Sequence, residues 1–234
     1  MRVARALTFA AFLLAANGCG SDTPAASGEP TANEFNAARR AARIETTGCG
    51  LAPDRTGSGV AVGDGLVITV AHLVARADTI EVTVGNGEAV EAAVTAVDLN
   101  LDLAALRIPS NGIPDIELAD AARGTTGLIV GGAASGTVAF EVKDVVSLSI
   151  EEVLGSARHS RSGYELRSVT TTGDSGAGVY DPEHRLIGIV FATGRDGEST
   201  WITSSAEVAG FLAETGGDRT PIACNAESSR LELP

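Results

Sequence analysis

The segment Gly173-Asp174-Ser175-Gly176-Ala177-Gly178 sets a serine between glycines, one residue after an aspartate. Glycines let a backbone turn where a side chain would clash, and they leave loop N–H groups free to face a substrate. The same composition also makes plain turns between strands, so the hexapeptide needs partners. A serine hydroxyl is a poor nucleophile at neutral pH. It requires a base within hydrogen-bond reach, and the base needs an orienting carboxylate. Three histidines are available. His184 stands in a Pro-Glu-His-Arg turn and His159 in the polar stretch Ser-Ala-Arg-His-Ser-Arg-Ser, and both read as solvated loop residues. His72 ends the apolar run Leu66-Val-Ile-Thr-Val-Ala-His72, which makes it the candidate base. Asp98 precedes Asn100 and reads as a turn residue. Asp102 is the last polar residue before Leu103-Ala-Ala-Leu106. A carboxylate there can be desolvated yet hydrogen-bonded, which suits holding an imidazole. The order His72, Asp102, Ser175 is one of the known chain orders of an acyl-transferring triad.

These residues need a scaffold of short strands and tight turns. The chain has 28 glycines in 234 residues and 44% hydrophobic residues, a composition that suggests β structure with many turns. Val60–Val62 and Leu66–Val70 flank Gly63-Asp64-Gly65, a hairpin signal. Ile80, Val82 and Val84 alternate with polar residues, and after Asn86-Gly87 so do Val90, Ala92, Val94 and Ala96. Residues 101–108 form an apolar run ending at Pro109. Residues 109–126 hold Pro109, Gly112, Pro114 and Gly124 and predict a connection between lobes. A second set of strands is predicted at 127–133, 138–150, 164–169, 178–180, 186–193 and 200–203. A helix is predicted over 204–214, with Ser204 and Glu207 fitting a capping box.

The formal net charge of −13 repels nucleic-acid phosphates and anionic lipid surfaces, so no nucleic-acid partner is expected. Arg2 and Arg5 precede the apolar stretch Leu7–Ala16, which is too short to span a bilayer and reads as a signal peptide over 1–18. Ala16-Asn17-Gly18-Cys19 resembles a bacterial lipidation motif with Ala in place of the usual Leu, and its first three residues also resemble an ordinary small-x-small cleavage site. The lipoprotein reading is favoured, because the polar tether 21–30 follows Cys19. The membrane would then be touched only through a lipid anchor at Cys19. In an exported protein the remaining pair, Cys49 and Cys224, suggests a disulfide. Closing so long a loop stabilises by up to about 5 kcal/mol in the chain-entropy model. Residues 19–47 are expected to form a linker and short helix, 48–226 the domain, and 227–234 a C-terminal tail.

Four stretches together resemble the bacterial trypsin-like (chymotrypsin-fold) serine proteases, near the HtrA/Deg branch. They are Gly57-Ser-Gly-Val60, Gly65-Leu-Val-Ile-Thr-Val-Ala-His72, Asp102-Leu-Ala and Gly173-Asp-Ser175-Gly. The resemblance covers roughly residues 48–214. It implies an all-β fold of two six-stranded antiparallel β-barrels with a C-terminal helix, and a site in the cleft between them. It implies that the N–H groups of Gly173 and Ser175 form an oxyanion hole, each donor contributing about 3–4 kcal/mol of transition-state stabilisation. It places Val169 at the base of the pocket for the residue preceding the scissile bond, with Ala192 and Thr193 on the pocket strand. Val169 where an Asp would select Arg and Lys predicts small or medium apolar side chains instead. Departures are Val70, where the family has Ala or Asn, and Ala177, which replaces a common Gly beside the nucleophile and could alter the loop's φ angles. Ile129-Val-Gly-Gly132 is read as a glycine-flanked strand, not an activation site. No PDZ-like region is expected after the domain.

The expectation is therefore an exported serine endopeptidase, a monomer acting on protein or peptide substrates, with no cofactor and no metal. A catalytically inactive trypsin-fold module that binds peptides at the cell envelope is the alternative. An α/β-hydrolase is disfavoured, because its elbow needs Gly where Ala177 stands and its serine comes first in chain order.

Overall fold

A computed structural model describes residues 32–151, 158–195 and 197–214. Cys19, Cys224 and the segment 1–18 lie outside the described residues. The first lobe opens with a short helix, α1 (Ala32–Arg40), that runs directly into β1 (Ala41–Gly48). Then come β2 (Arg55–Gly63), β3 (Leu66–Thr69), the single turn α2 (Ala71–Val74), β4 (Ala77–Val84), β5 (Ala89–Glu91), β6 (Ala93–Asp98) and β7 (Leu103–Arg107). These strands form one antiparallel curled sheet in the order β5-β4-β1-β2-β3-β7-β6.

The second lobe is a closed six-stranded barrel in the order β10-β13-β12-β11-β8-β9. Its strands are β8 (Thr126–Val130), β9 (Thr137–Glu151), β10 (Arg158–Arg167), β11 (Gly178–Tyr180), β12 (Leu186–Thr193) and β13 (Ser199–Ser204). Helix α3 (Ser205–Glu214) follows. Ser204 Oγ accepts the Glu207 N–H at 3.4 Å, which is one half of the anticipated capping box. The Glu207 carboxylate turns away and accepts the Ser162 N–H at 2.8 Å, so it docks the helix on β10 instead.

The first lobe has seven strands because residues 41–48 pair on both sides, Ile44 with Gly57 in β2 and with Val82 in β4. An Ala- and Arg-rich stretch has helical propensity. Here Ala42, Ile44 and Thr46 alternate inward, and their burial between two neighbours outweighs that preference. The connector 108–125 carries only an isolated bridge, Leu118 to Leu186. It is pinned by buried Arg40, whose Nη1 donates to Ala61 O and Pro114 O at 3.2 and 2.8 Å. It is pinned again by Asp64, which accepts from Ser110 Oγ, Asn111 N and Gly112 N at 2.8–2.9 Å.

One apolar core joins Ile44, Val60, Ile68, Leu103 and Leu106 of the first lobe to Tyr180, Leu186, Ile189 and Phe211 of the second. A second core fills the barrel with Ile129, Phe140, Leu166, Ile187 and Ile202. Adjacent Leu186 and Ile187 serve different cores because successive strand residues face opposite ways. The two lobes are thus packed together over the boundary where the candidate residues lie. Among the described residues, no helix is long and apolar enough to cross a membrane.

Candidate functional site

His72 sits in α2, immediately after β3 has delivered the chain to the lobe boundary. Its main chain is held from below, since Arg55 Nη1 donates to His72 O and Ala75 O at 2.6 and 3.1 Å. Asp102 Oδ1 accepts the His72 main-chain N–H at 2.8 Å, and Asp102 Oδ2 lies 2.8 Å from His72 Nδ1. This carboxylate is buried, while the imidazole is 39% exposed. Asp102 itself has φ +53°, a left-handed conformation that costs a non-glycine residue energy. The Ala71 N–H donating to Asp102 O at 3.1 Å helps to hold it there. Asp98 does what a turn residue does: its Oδ1 accepts the N–H groups of Asn100 and Leu101.

Ser175 reaches the boundary from the second lobe, on the loop between β10 and β11. The Ser58 N–H of β2 donates to Ser175 O at 2.8 Å. A Cβ on Gly57 would lie 2.6 Å from Leu73 Cδ2 and 3.2 Å from Ser175 O, so the serine backbone and the turn carrying His72 crowd the same point. Among the described residues, no hydrogen bond joins Ser175 Oγ to His72. Such contacts are often loose without substrate and tighten as it binds.

Two glycines give the serine loop its shape. Gly173 has φ +102° and Gly176 φ +90°. At Gly176 a Cβ would fall 1.9 Å from Ser58 O, so glycine is required on space as well as on φ. Ala177 takes no left-handed φ, and its side chain joins the barrel core. The distortion anticipated at this position does not occur. Within the loop, Asp174 N–H donates to Thr171 O, Gly176 N–H to Val190 O and Ala177 N–H to Asp174 O. Among the described residues, the N–H groups of Gly173 and Ser175 donate to no protein acceptor.

Three residues that sequence reasoning passed over hold this loop. Buried Ser58 donates through Oγ to Gly173 O at 2.8 Å and accepts the N–H groups of Gly132 and Ala133 at 3.1 and 3.3 Å. Buried Asp174 accepts from Ser135 N and Ser135 Oγ at 3.0 and 2.5 Å, and from Thr171 N at 2.7 Å. Ser135 is the third, and its loop follows β8. A signal for Ser58 existed in the Gly-Ser-Gly of β2, but its partners are more than seventy residues away.

Val169 is 61% exposed, so it is not a core residue. Beside it, Thr170 Oγ1 lies 2.8 Å from both Thr193 Oγ1 and Thr200 Oγ1, which joins the loop to β12 and β13. Ala192 is half-buried and Thr193 exposed at the end of β12. His159 and His184 stay away from the dyad. His159 lies on β10, paired with Ile150, and not in a loop; His184 occupies a turn with φ +64°.

Residues 57–189 match the family model described as trypsin-like peptidase domain. The chain is 28% identical over 180 residues to "Serine protease Rv3671c" of Mycobacterium tuberculosis, covering 74% of this chain and 42% of that protein. It is 32% identical over 176 residues to the human "Serine protease HTRA4", covering 71% and 36% respectively. The chain thus spans less than half the length of these curated relatives. Among solved structures, the active form of the Rv3671c protease superposes with a TM-score of 0.73 at 24% identity, covering 82% of this chain and 88% of that one. The HtrA-type protease AlgW with a tripeptide gives 0.66 at 21% identity, covering 77% and 62%.

Proposed function

The chain belongs to the trypsin-like peptidase domain family, and from that premise we propose that it is an exported serine endopeptidase. Ser175 Oγ attacks the scissile carbonyl while His72 Nε2 takes its proton. The oxyanion of the tetrahedral intermediate is received by the N–H groups of Gly173 and Ser175, which have no other acceptor among the described residues. As the C–N bond breaks, His72 returns the proton to the departing amine and an ester remains on Ser175. Water, deprotonated by His72, then releases the acid and restores the serine. Asp102 orients the imidazole and stabilises its protonated form.

The observation that carries this reading is the two-point hold of Asp102 on His72, which fixes ring orientation through Nδ1 and leaves Nε2 without a hydrogen bond among the described residues. The exposed Val169, with Ala192 and Thr193, would receive a small or medium apolar side chain before the scissile bond. Residues 1–18 direct export, and Cys19 carries a lipid or begins the released chain. Cys49 is disulfide-bonded, which supports the Cys49–Cys224 pairing. A monomer suffices for this scheme. The test is labelling of the purified protein with a fluorophosphonate, followed by mapping of the label. Modification of Ser175 that disappears in Ser175→Ala is expected. A folded protein that stays unlabelled would refute the reading in favour of an inactive peptide-binding module.

A further inference from the structure

Arg161 has a place in the fold that the scheme above does not explain. It lies on β10, is only 2% exposed, and is the bulkiest fully buried side chain among the described residues. A buried cation is costly unless it is paired, yet among the described residues its Nε and Nη2 have no hydrogen-bond partner. One contact is made across the lobe boundary: Nη1 donates to Leu101 O, the carbonyl of the peptide that leads into Asp102. Burial pushes this guanidinium down from its usual value, opposed by the charges of Asp102, Glu207 and Asp98, of which Asp102 acts most strongly.

The other face of the group is covered by Phe191, whose ring centroid lies 3.8 Å from Arg161 Cζ. Phe191 owes that position to a bulge in β12. Val190 pairs with Ile202 and Ala192 with Trp201, so Phe191 is the extra residue, and its ring turns onto the guanidinium. The charged neighbours are thus accounted for element by element. Asp98 ends β6, Asp102 comes from the turn into β7, Glu207 from α3, and His72 stands beyond Asp102.

We propose that Arg161 is a positioning residue for Asp102. It clamps the Leu101–Asp102 peptide from the second lobe and sets a fixed positive charge behind the carboxylate that orients His72. The clamp answers a specific need, because Asp102 is held at φ +53° and its N-terminal peptide must be fixed for the carboxylate to meet both His72 nitrogens. Arg161 is buried and does not touch substrate, so its effect falls on turnover and not on substrate affinity. This inference rests on the triad reading above.

The experiment compares the full protein with Arg161→Met and Arg161→Lys, after fluorophosphonate labelling at Ser175 has been established for the unaltered protein. Failure of that first step sinks the triad reading and is seen before any Arg161 variant is made. Folding is checked by thermal unfolding, and kcat and KM are measured on a peptide substrate. In Arg161→Met, kcat falls by about ten- to a hundredfold with KM unchanged. In Arg161→Lys kcat also falls with KM unchanged, since an ammonium keeps the charge but not the Nη1 contact on Leu101 O. A folded Arg161→Met with unchanged kcat overturns the proposal. If Arg161→Met does not fold, Arg161→Lys decides: unchanged kcat overturns the proposal, and reduced kcat with unchanged KM supports it.

Discussion

Asp102 holds His72 by two nitrogens of the same residue, Oδ1 on the main-chain N–H and Oδ2 on Nδ1, each at 2.8 Å. The backbone contact fixes where the carboxylate sits, and the ring contact fixes the tautomer and the tilt of the imidazole.

An Asp102→Asn variant keeps the shape and removes the charge. An amide can still accept from the main chain, but it no longer favours the ring form with a proton on Nδ1. The fold survives, and kcat on a peptide substrate drops by about 10⁴-fold. A loss smaller than tenfold in steady-state kinetics would remove Asp102 from the mechanism.

Ser58→Ala strips one hydroxyl from three partners: Gly173 O, Gly132 N and Ala133 N. Buried groups left without a partner cost about 1–3 kcal/mol, to be read from the midpoint of a urea titration. Turnover falls with it, since Gly173 is one of the two proposed oxyanion donors. Unchanged kcat in the folded variant would mean that the loop keeps its shape without this tie.

Asp64 provides a pH-dependent contribution to stability. Hydrogen bonds from Ser110 Oγ, Gly112 N and Asn111 N hold its carboxyl below the usual carboxylate range. The folded value is the depressed one, so the stabilisation is complete above the unfolded value and is lost as pH falls through the folded value. Asp64→Asn therefore lowers the melting temperature at pH 7, and the gap to the unaltered protein closes on acidification. A gap of equal size at pH 7 and pH 2 would show that the charge of Asp64 contributes nothing.

The local features of the fold were readable because they are written over a few residues. Gly63-Asp64-Gly65 marks the β2–β3 hairpin, and the alternation around Val82 marks β4. The run 103–106, led by a polar residue, distinguishes Asp102 from the turn residue Asp98, and the structure sets Asp102 and not Asp98 on His72. What was missed depends on distant partners. Residues 41–47, expected within the linker and short helix, form an interior strand instead, because β2 and β4 bind both edges of β1. The polar stretch around His159 looks like a loop and belongs to β10, whose other half closes the barrel. Arg161 in the same stretch gives no sign in sequence that it is buried, since Leu101 and Phe191 lie 60 and 30 positions away. The partners of Ser58 across the lobe boundary, and the Ser135–Asp174 pair 39 positions apart within the second lobe, leave no local pattern either.

The tie between Ser58 and Gly173 spans 115 positions. During synthesis, β2 emerges long before the loop that it will shape. Contacts so far apart in sequence close only after the intervening chain has been ordered. A growing or prematurely ended chain that lacks the second barrel has no nucleophile loop to shape, whatever the state of its first lobe. The loop that carries Ser175 would then take its final shape only once both lobes are in place.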